Sequence, residues 1–189
     1  MIDARTLPLG DGSRTLRPLA ERDAARYAEG TRDEAVIRWA HLPEPTYTTT
    51  SVARIARDVV PAGLARGDLA LLAVVDQDDL LVGSLVLFGV TSTTGEVGFW
   101  LRADARGTGH AAGALALART LAVRCGLTTL TARTSPDNAA SGRALARAGF
   151  IPVRTDVDRA PSGASVPLIH HELRLTASSD QAPSDDVAG

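Results

Sequence analysis

Lysine is missing from this chain: all 20 basic residues are arginine, a usage that resembles proteins of G+C-rich genomes. Without lysine there is no amine for a Schiff base and none for the phosphate loop of P-loop nucleotide-binding proteins. Cysteine occurs once, at Cys125, which excludes an intrachain disulfide and a cysteine-ligated zinc site and fits a reducing cytoplasm. A basic excess is missing too. The formal net charge is −2 and the pI is near 6.1, with no basic tract, so neither nucleic acid nor a membrane surface is expected as partner. No apolar run reaches the length of a membrane span, and the N-terminus MIDARTLPLGDGSRTLRPL lacks the apolar core of a signal peptide. A soluble, cytoplasmic protein is the expectation.

What is present is enough for a real core. With 189 residues, 44% of them hydrophobic, the chain reads as one domain over 1–175 and a disordered acidic tail over 176–189. Strands are expected at Thr15–Leu19, Leu69–Val75, Leu80–Phe88, Glu96–Leu101, Leu130–Arg133, Phe150–Arg154 and Val166–Leu175. Helices are expected at Glu21–Glu29, Asp33–Ala40, after the Thr48–Ser51 capping cluster with Pro61 ending or bending it, at Thr108–Cys125 and at Ala139–Ala148. Asp76–Asp79 reads as a solvated hairpin tip. It lacks the ligand spacing of a calcium loop, and no metal is expected. The order predicts an α/β (α+β-like) fold: a mixed, mostly antiparallel sheet of six to seven strands, helices on both faces, and a central strand–helix–strand crossover.

The chain is organised around EVGFWLRADARGTGHAAGA, from Glu96 to Ala114. A strand runs through Arg106-Gly107-Thr108-Gly109-His110-Ala111 into an alanine- and leucine-rich helix. Glycines let the backbone turn its N–H groups inward, and the helix start adds unpaired donors and partial positive charge, so this turn can hold phosphate. Gly107-x-Gly109-x-x-Ala112 also satisfies a loose dinucleotide-binding fingerprint. That fingerprint requires a carboxylate at the end of the next strand for the ribose, and Leu127–Thr134 offers none.

Two blocks instead resemble the GNAT superfamily of acyl-CoA-dependent N-acetyltransferases. Arg106-x-x-Gly109-x-Ala111 is similar to its pyrophosphate motif, and Asn138-x-x-Ser141 followed by Gly149-Phe150 is similar to the segment that helps enclose the coenzyme. Glu96-Val97-Gly98-Phe99-Trp100 further resembles the RimJ/RimL branch, the ribosomal-protein alanine N-acetyltransferases. The resemblance spans Thr15 to Leu175. It departs at Leu145, where many members place a tyrosine acid, and at Gly113, where relatives carry a larger polar residue.

The resemblance implies acetyl-CoA as co-substrate and a primary amine as acceptor, either a protein N-terminal α-amine or a small molecule. It also implies that a homodimer is feasible. Coenzyme contacts are implied at Phe99, Trp100, Leu101, Arg106, Gly107, Thr108, Gly109, His110, Ala111, Ala112, Asn138 and Ser141. Main-chain N–H groups around Phe99–Leu101 would serve the carbonyl oxygen of the thioester, and Ser141 would lie beside the sulfur. Glu96 is the first candidate for the base, with His170 and His171 as rivals; successive strand residues face opposite ways, so at most one histidine can face the site. Acceptor contacts are expected from Trp39–Tyr47 and the last hairpin. The alternative is a non-catalytic acyl-CoA-binding protein of the same fold.

Overall fold

Leu81–Phe88 (β4) and Thr94–Leu101 (β5) are rich in β-branched and aromatic residues, and they pair antiparallel from Gly83↔Leu101 to Phe88↔Glu96. In the computed structural model, which describes residues 1–175, they form the centre of one eight-stranded sheet. The expected tail, 176–189, lies outside the described residues. The other strands are β1 (Leu9–Gly10), β2 (Thr15–Pro18), β3 (Ala70–Val75), β6 (Thr129–Thr134), β7 (Ile151–Arg159) and β8 (Ser165–Arg174), in the spatial order β1-β2-β3-β4-β5-β6-β8-β7. Among the described residues only β5 and β6 pair in parallel, across the crossover helix α5 (His110–Arg124).

The sheet has one strand more than the upper expected count. Leu9 and Gly10 pair with Leu16 and Thr15, and a two-residue strand is too short to show alternation. β7 also runs beyond the expected Arg154 to Arg159. As an edge strand it has no fully buried face, so it carries no apolar period.

Two cores sandwich the sheet. One face packs Leu16, Leu72, Leu85, Leu87 and Val97 against Leu115, Ala118, Leu121 and Ala122 of α5 and Leu145 of α6 (Ala139–Arg147). The other packs Ala73, Val75, Leu81 and Trp100 against Tyr27 of α1 (Ala24–Gly30), Val36 of α2 (Glu34–Trp39) and Val52 of α3 (Thr49–Arg54). Of the two outcomes expected at Pro61, an end or a bend of the third helix, the first does not occur. A π-helical turn, Ile55–Val59, leads into α4 (Val60–Arg66), where Pro61 sits in the first turn and needs no N–H.

A buried ion pair joins this second layer to the sheet. Arg17 of β2 donates two hydrogen bonds to Asp23, at 2.7 and 2.9 Å, and Asp23 also accepts the Ala20 N–H at 2.9 Å. The hairpin tip is solvated as expected, Gln77 to Asp79 being exposed, and Asp79 in addition accepts from Arg17 and from Arg22, each at 2.7 Å.

Candidate active site

The site begins where the sheet comes apart. β5 and β6 pair at Thr94↔Thr129, Gly95↔Leu130 and Glu96↔Thr131 and then separate. Arg102 N–H donates to the Val82 carbonyl at 2.9 Å, so the antiparallel alternation turns Trp100 and Gly98 main chain toward β4 and turns Val97, Phe99 and Leu101 toward the gap. The three strand residues expected at the coenzyme therefore divide: Phe99 and Leu101 offer N–H groups, and Trp100 contributes its side chain as wall.

On the α5 side of the gap lies a groove of about 400 Å³. Gly107 and Gly109 hold φ of 80° and 85°, with open space where a Cβ would stand. Both adopt the left-handed region that glycine enters freely. Gly107, Gly109, His110, Ala111 and Ala112 line the groove, and the α-helical hydrogen bonding of α5 begins with Gly113 N–H to the Gly109 carbonyl at 3.1 Å. The donors ahead of it form an anion cradle backed by the helix dipole. The Thr108 hydroxyl donates to the Ala105 carbonyl at 2.8 Å, which turns it away and leaves its main chain.

Arg106 acts as a fastener. Its guanidinium donates to the Leu101 carbonyl at 3.2 and 3.0 Å and pairs with Asp33, the cap of α2. The Arg106 guanidinium holds the Asp33 carboxyl below the usual carboxylate range. Gly113 has an equally local reason: the side chain of Arg14, which donates to the Gly109 carbonyl, fills the space a Cβ would need.

On the α1–α4 side lies a second cavity of about 430 Å³. The two spaces share Trp39, Ala40, Phe99, Trp100, Asn138 and Ser141 as lining, so they meet at the strand gap and the start of α6. Asn138 caps α6 by accepting Ser141 N–H at 3.1 Å, which leaves its amide N–H₂ free to donate. The Ser141 hydroxyl has no hydrogen-bond partner among the described residues and borders both spaces. Leu145, at the position of the missing tyrosine, has its side chain fully buried in the core.

Glu96 lines the second cavity and is bound by Arg133 of β6, Nε to Oε1 at 2.8 Å. Arg133 also donates to Asp158 at 3.2 Å and to the Arg159 carbonyl at 2.8 Å. The two histidines separate as strand geometry requires. His170 shares the Glu96 face, with Nε2 2.7 Å from Asp156, whereas His171 lies on the opposite face, its Nε2 2.9 Å from the Thr134 hydroxyl. Burial pushes the His171 imidazole below its ordinary value, with His170 adding to the effect.

Sequence reasoning missed Arg14, Tyr27 and Arg133, and named His41 only as part of the Trp39–Tyr47 segment. Arg133 lies opposite Ala132 and Thr134 in the β6 alternation, but only strand pairing places it beside Glu96. His41 lines the second cavity at φ 47°, its Nε2 is buried without a partner, and burial holds it below its ordinary pKa.

A strand gap between a glycine-rich helix start and a second cavity suits a two-substrate transferase of the acyl-CoA type. Residues 14–151 match the acetyltransferase (GNAT) domain family, and the chain belongs to it. RimJ of Mycobacterium smegmatis, solved in complex with CoA-disulfide, is similar in structure at 23% identity and a TM-score of 0.75, covering 85% of this chain and 81% of its own. A ribosomal-protein alanine acetyltransferase from Vibrio fischeri is similar at 18% identity and TM-score 0.75, covering 94% and 100%. RimL, a ribosomal α-N-protein acetyltransferase, is similar at 15% identity and TM-score 0.73, covering 87% and 91%. No curated protein matches the chain by sequence. Among the described residues no helix is long and apolar enough to cross a membrane.

Proposed function

We propose that this chain transfers the acetyl group of acetyl-CoA to a primary amine by direct attack of the neutral amine on the thioester. The observation that carries the reading is the junction of the two cavities, where Phe99 and Ser141 border both spaces and the gap-facing main chain of Leu101 borders the α5-side groove. The α5 cradle from Gly107 to Ala112 holds the pyrophosphate of the coenzyme, and Arg106 sets the height of that loop by its bonds to Leu101 and Asp33. Asn138 donates to the pantetheine arm.

Phe99 and Leu101 N–H groups face the negative charge that gathers on the carbonyl oxygen as the amine attacks, a placement that lowers the barrier most when donors are fixed beforehand. The Ser141 hydroxyl donates a hydrogen bond to the leaving thiolate and relays to it the proton that the attacking nitrogen sheds as the C–S bond breaks, so that Ser141 ends as the neutral hydroxyl. Glu96, steadied by Arg133 through Oε1, keeps Oε2 for the proton that the ammonium must lose, directly or through a water. An α-amine of pKa near 8 is neutral in about a tenth of molecules at pH 7, a lysine-like amine in about one in 10³ to 10⁴. The structural neighbours RimJ and RimL favour an amine at a protein N-terminus, and a small amine uses the same chemistry. The reading calls for no metal, nucleic acid or membrane; the free Cys125 is in keeping with a cytoplasmic setting.

The test is release of free thiol from acetyl-CoA with a panel of amines and N-terminal peptides. Ser141→Ala is expected to lower kcat about 10- to 100-fold with acetyl-CoA affinity unchanged, and Glu96→Gln about 10²- to 10⁴-fold. Coenzyme binding without thiol release for any acceptor would favour the non-catalytic alternative.

A further inference from the structure

Aromatic side chains are scarce here, three Phe, two Trp and two Tyr in 189 residues. Six of these seven, Tyr27, Trp39, Tyr47, Phe88, Phe99 and Trp100, line the 430 Å³ cavity. They come from α1, α2, the loop before α3, β4 and β5, so nearness in sequence does not explain the gathering. The large fully buried side chains elsewhere are almost all leucine and valine. Tyr27 and Trp100 meet edge to face at 5.0 Å, and Tyr27 and Tyr47 lie 5.7 Å apart.

Part of the polar wall is occupied, and its unpartnered groups among the described residues are few: His41 Nε2 and Trp100 Nε1, with the Asn138 amide and the Ser141 hydroxyl at the junction. Ser84 Oγ donates to the Leu72 carbonyl at 2.9 Å, Tyr47 Oη accepts Glu44 N–H at 3.3 Å, and Glu96 is bound to Arg133. Burial raises the pKa of both tyrosines, so their hydroxyls stay neutral. Peptide groups drawn in past the junction would outnumber these few partners and lie mostly against apolar walls, which is costly. The charged lining groups are Glu44, Glu96 and Arg133, and Arg133 already carries Glu96 and Asp158. A carboxylate on the acceptor would find no free cation, whereas an ammonium group meets aromatic faces and two carboxylates.

We propose that the acceptor is a small arylalkylamine without a carboxylate, its ring buried against the aromatic residues of this cavity and its nitrogen directed to the junction at Phe99 and Ser141. The proposal rests on the acetyltransferase reading and narrows its acceptor. The cavity lies within the range of small-molecule sites, and each methylene taken out of water multiplies affinity by about four.

The experiment measures thiol release by the full chain with 2-phenylethylamine, ethylamine, phenylalanine, and peptides beginning with Ala and with Phe. The expected result is a kcat/KM for 2-phenylethylamine at least about 100-fold above ethylamine and phenylalanine, and above both peptides. Val86→Phe, which narrows the wall from β4, is expected to lower the ratio of 2-phenylethylamine to ethylamine turnover at least about tenfold. Trp39 and Trp100 give an independent readout: their fluorescence should change on titration with 2-phenylethylamine and not with ethylamine. Preference for a peptide, or ethylamine within tenfold of 2-phenylethylamine, overturns the acceptor class and leaves the acetyltransferase reading standing. Thiol release from none of the five overturns both.

Discussion

Gly109 offers a way to separate backbone strain from coenzyme binding. It caps α5 at φ 85°, and Gly126 ends the same helix at φ 76°; a Cβ at either would meet nothing within 4 Å. Alanine at each position therefore carries the same kind of cost, the left-handed penalty of about 1–2 kcal/mol, and for a chain of this size each kilocalorie lowers Tm by about 2–4 °C. Both variants should melt about 2–8 °C below the parent. Only at Gly109 does the new methyl stand over the groove, where it pushes the pyrophosphate off the α5 amides. Loss of one charge-assisted hydrogen bond, about 1.5–3 kcal/mol, weakens binding about 10- to 150-fold. Calorimetric titration with acetyl-CoA, beside thermal melts, tests the difference. If Gly109→Ala binds acetyl-CoA as well as Gly126→Ala does, the phosphates lie elsewhere and the cradle assignment is wrong.

Asp23→Ala leaves Arg17 buried without its bidentate partner and should cost about 3–5 kcal/mol in urea unfolding, while Asp79→Ala, whose side chain is 52% exposed, should cost no more than about 1 kcal/mol; equal losses would refute the contrast. His171 supplies a pH dependence. Its folded pKa lies below the ordinary 6.5, so the unfolded chain takes up the proton first as pH falls. The stability it contributes is complete above about pH 6.5 and is lost as pH drops through the folded value. Melts at pH 7.5 and 5.5 should show the decline, and His171→Gln should reduce it.

The strand–glycine turn–helix from Glu96 to Ala114 was legible because its signals are local: alternation, two glycines in sequence with an arginine three residues before the second, and an alanine–leucine helix behind them. The same holds for Asn138, whose capping of α6 needs only a neighbour three residues on. β1 and the far half of β7 were not legible, the first too short for a period and the second exposed along its length. The reason for Gly113 lies 99 positions upstream, in the side chain of Arg14.

The sequence by itself determined the glycine turn ahead of α5, the main elements and the family, since each is written in residues a few positions apart. Tertiary structure alone decided that β5 and β6 part after Glu96↔Thr131, that Glu96 is held by Arg133, and that six aromatic residues from 27 to 100 line one space. These depend on which strands pair and where pairing stops, and such contacts between distant residues leave no period in the chain.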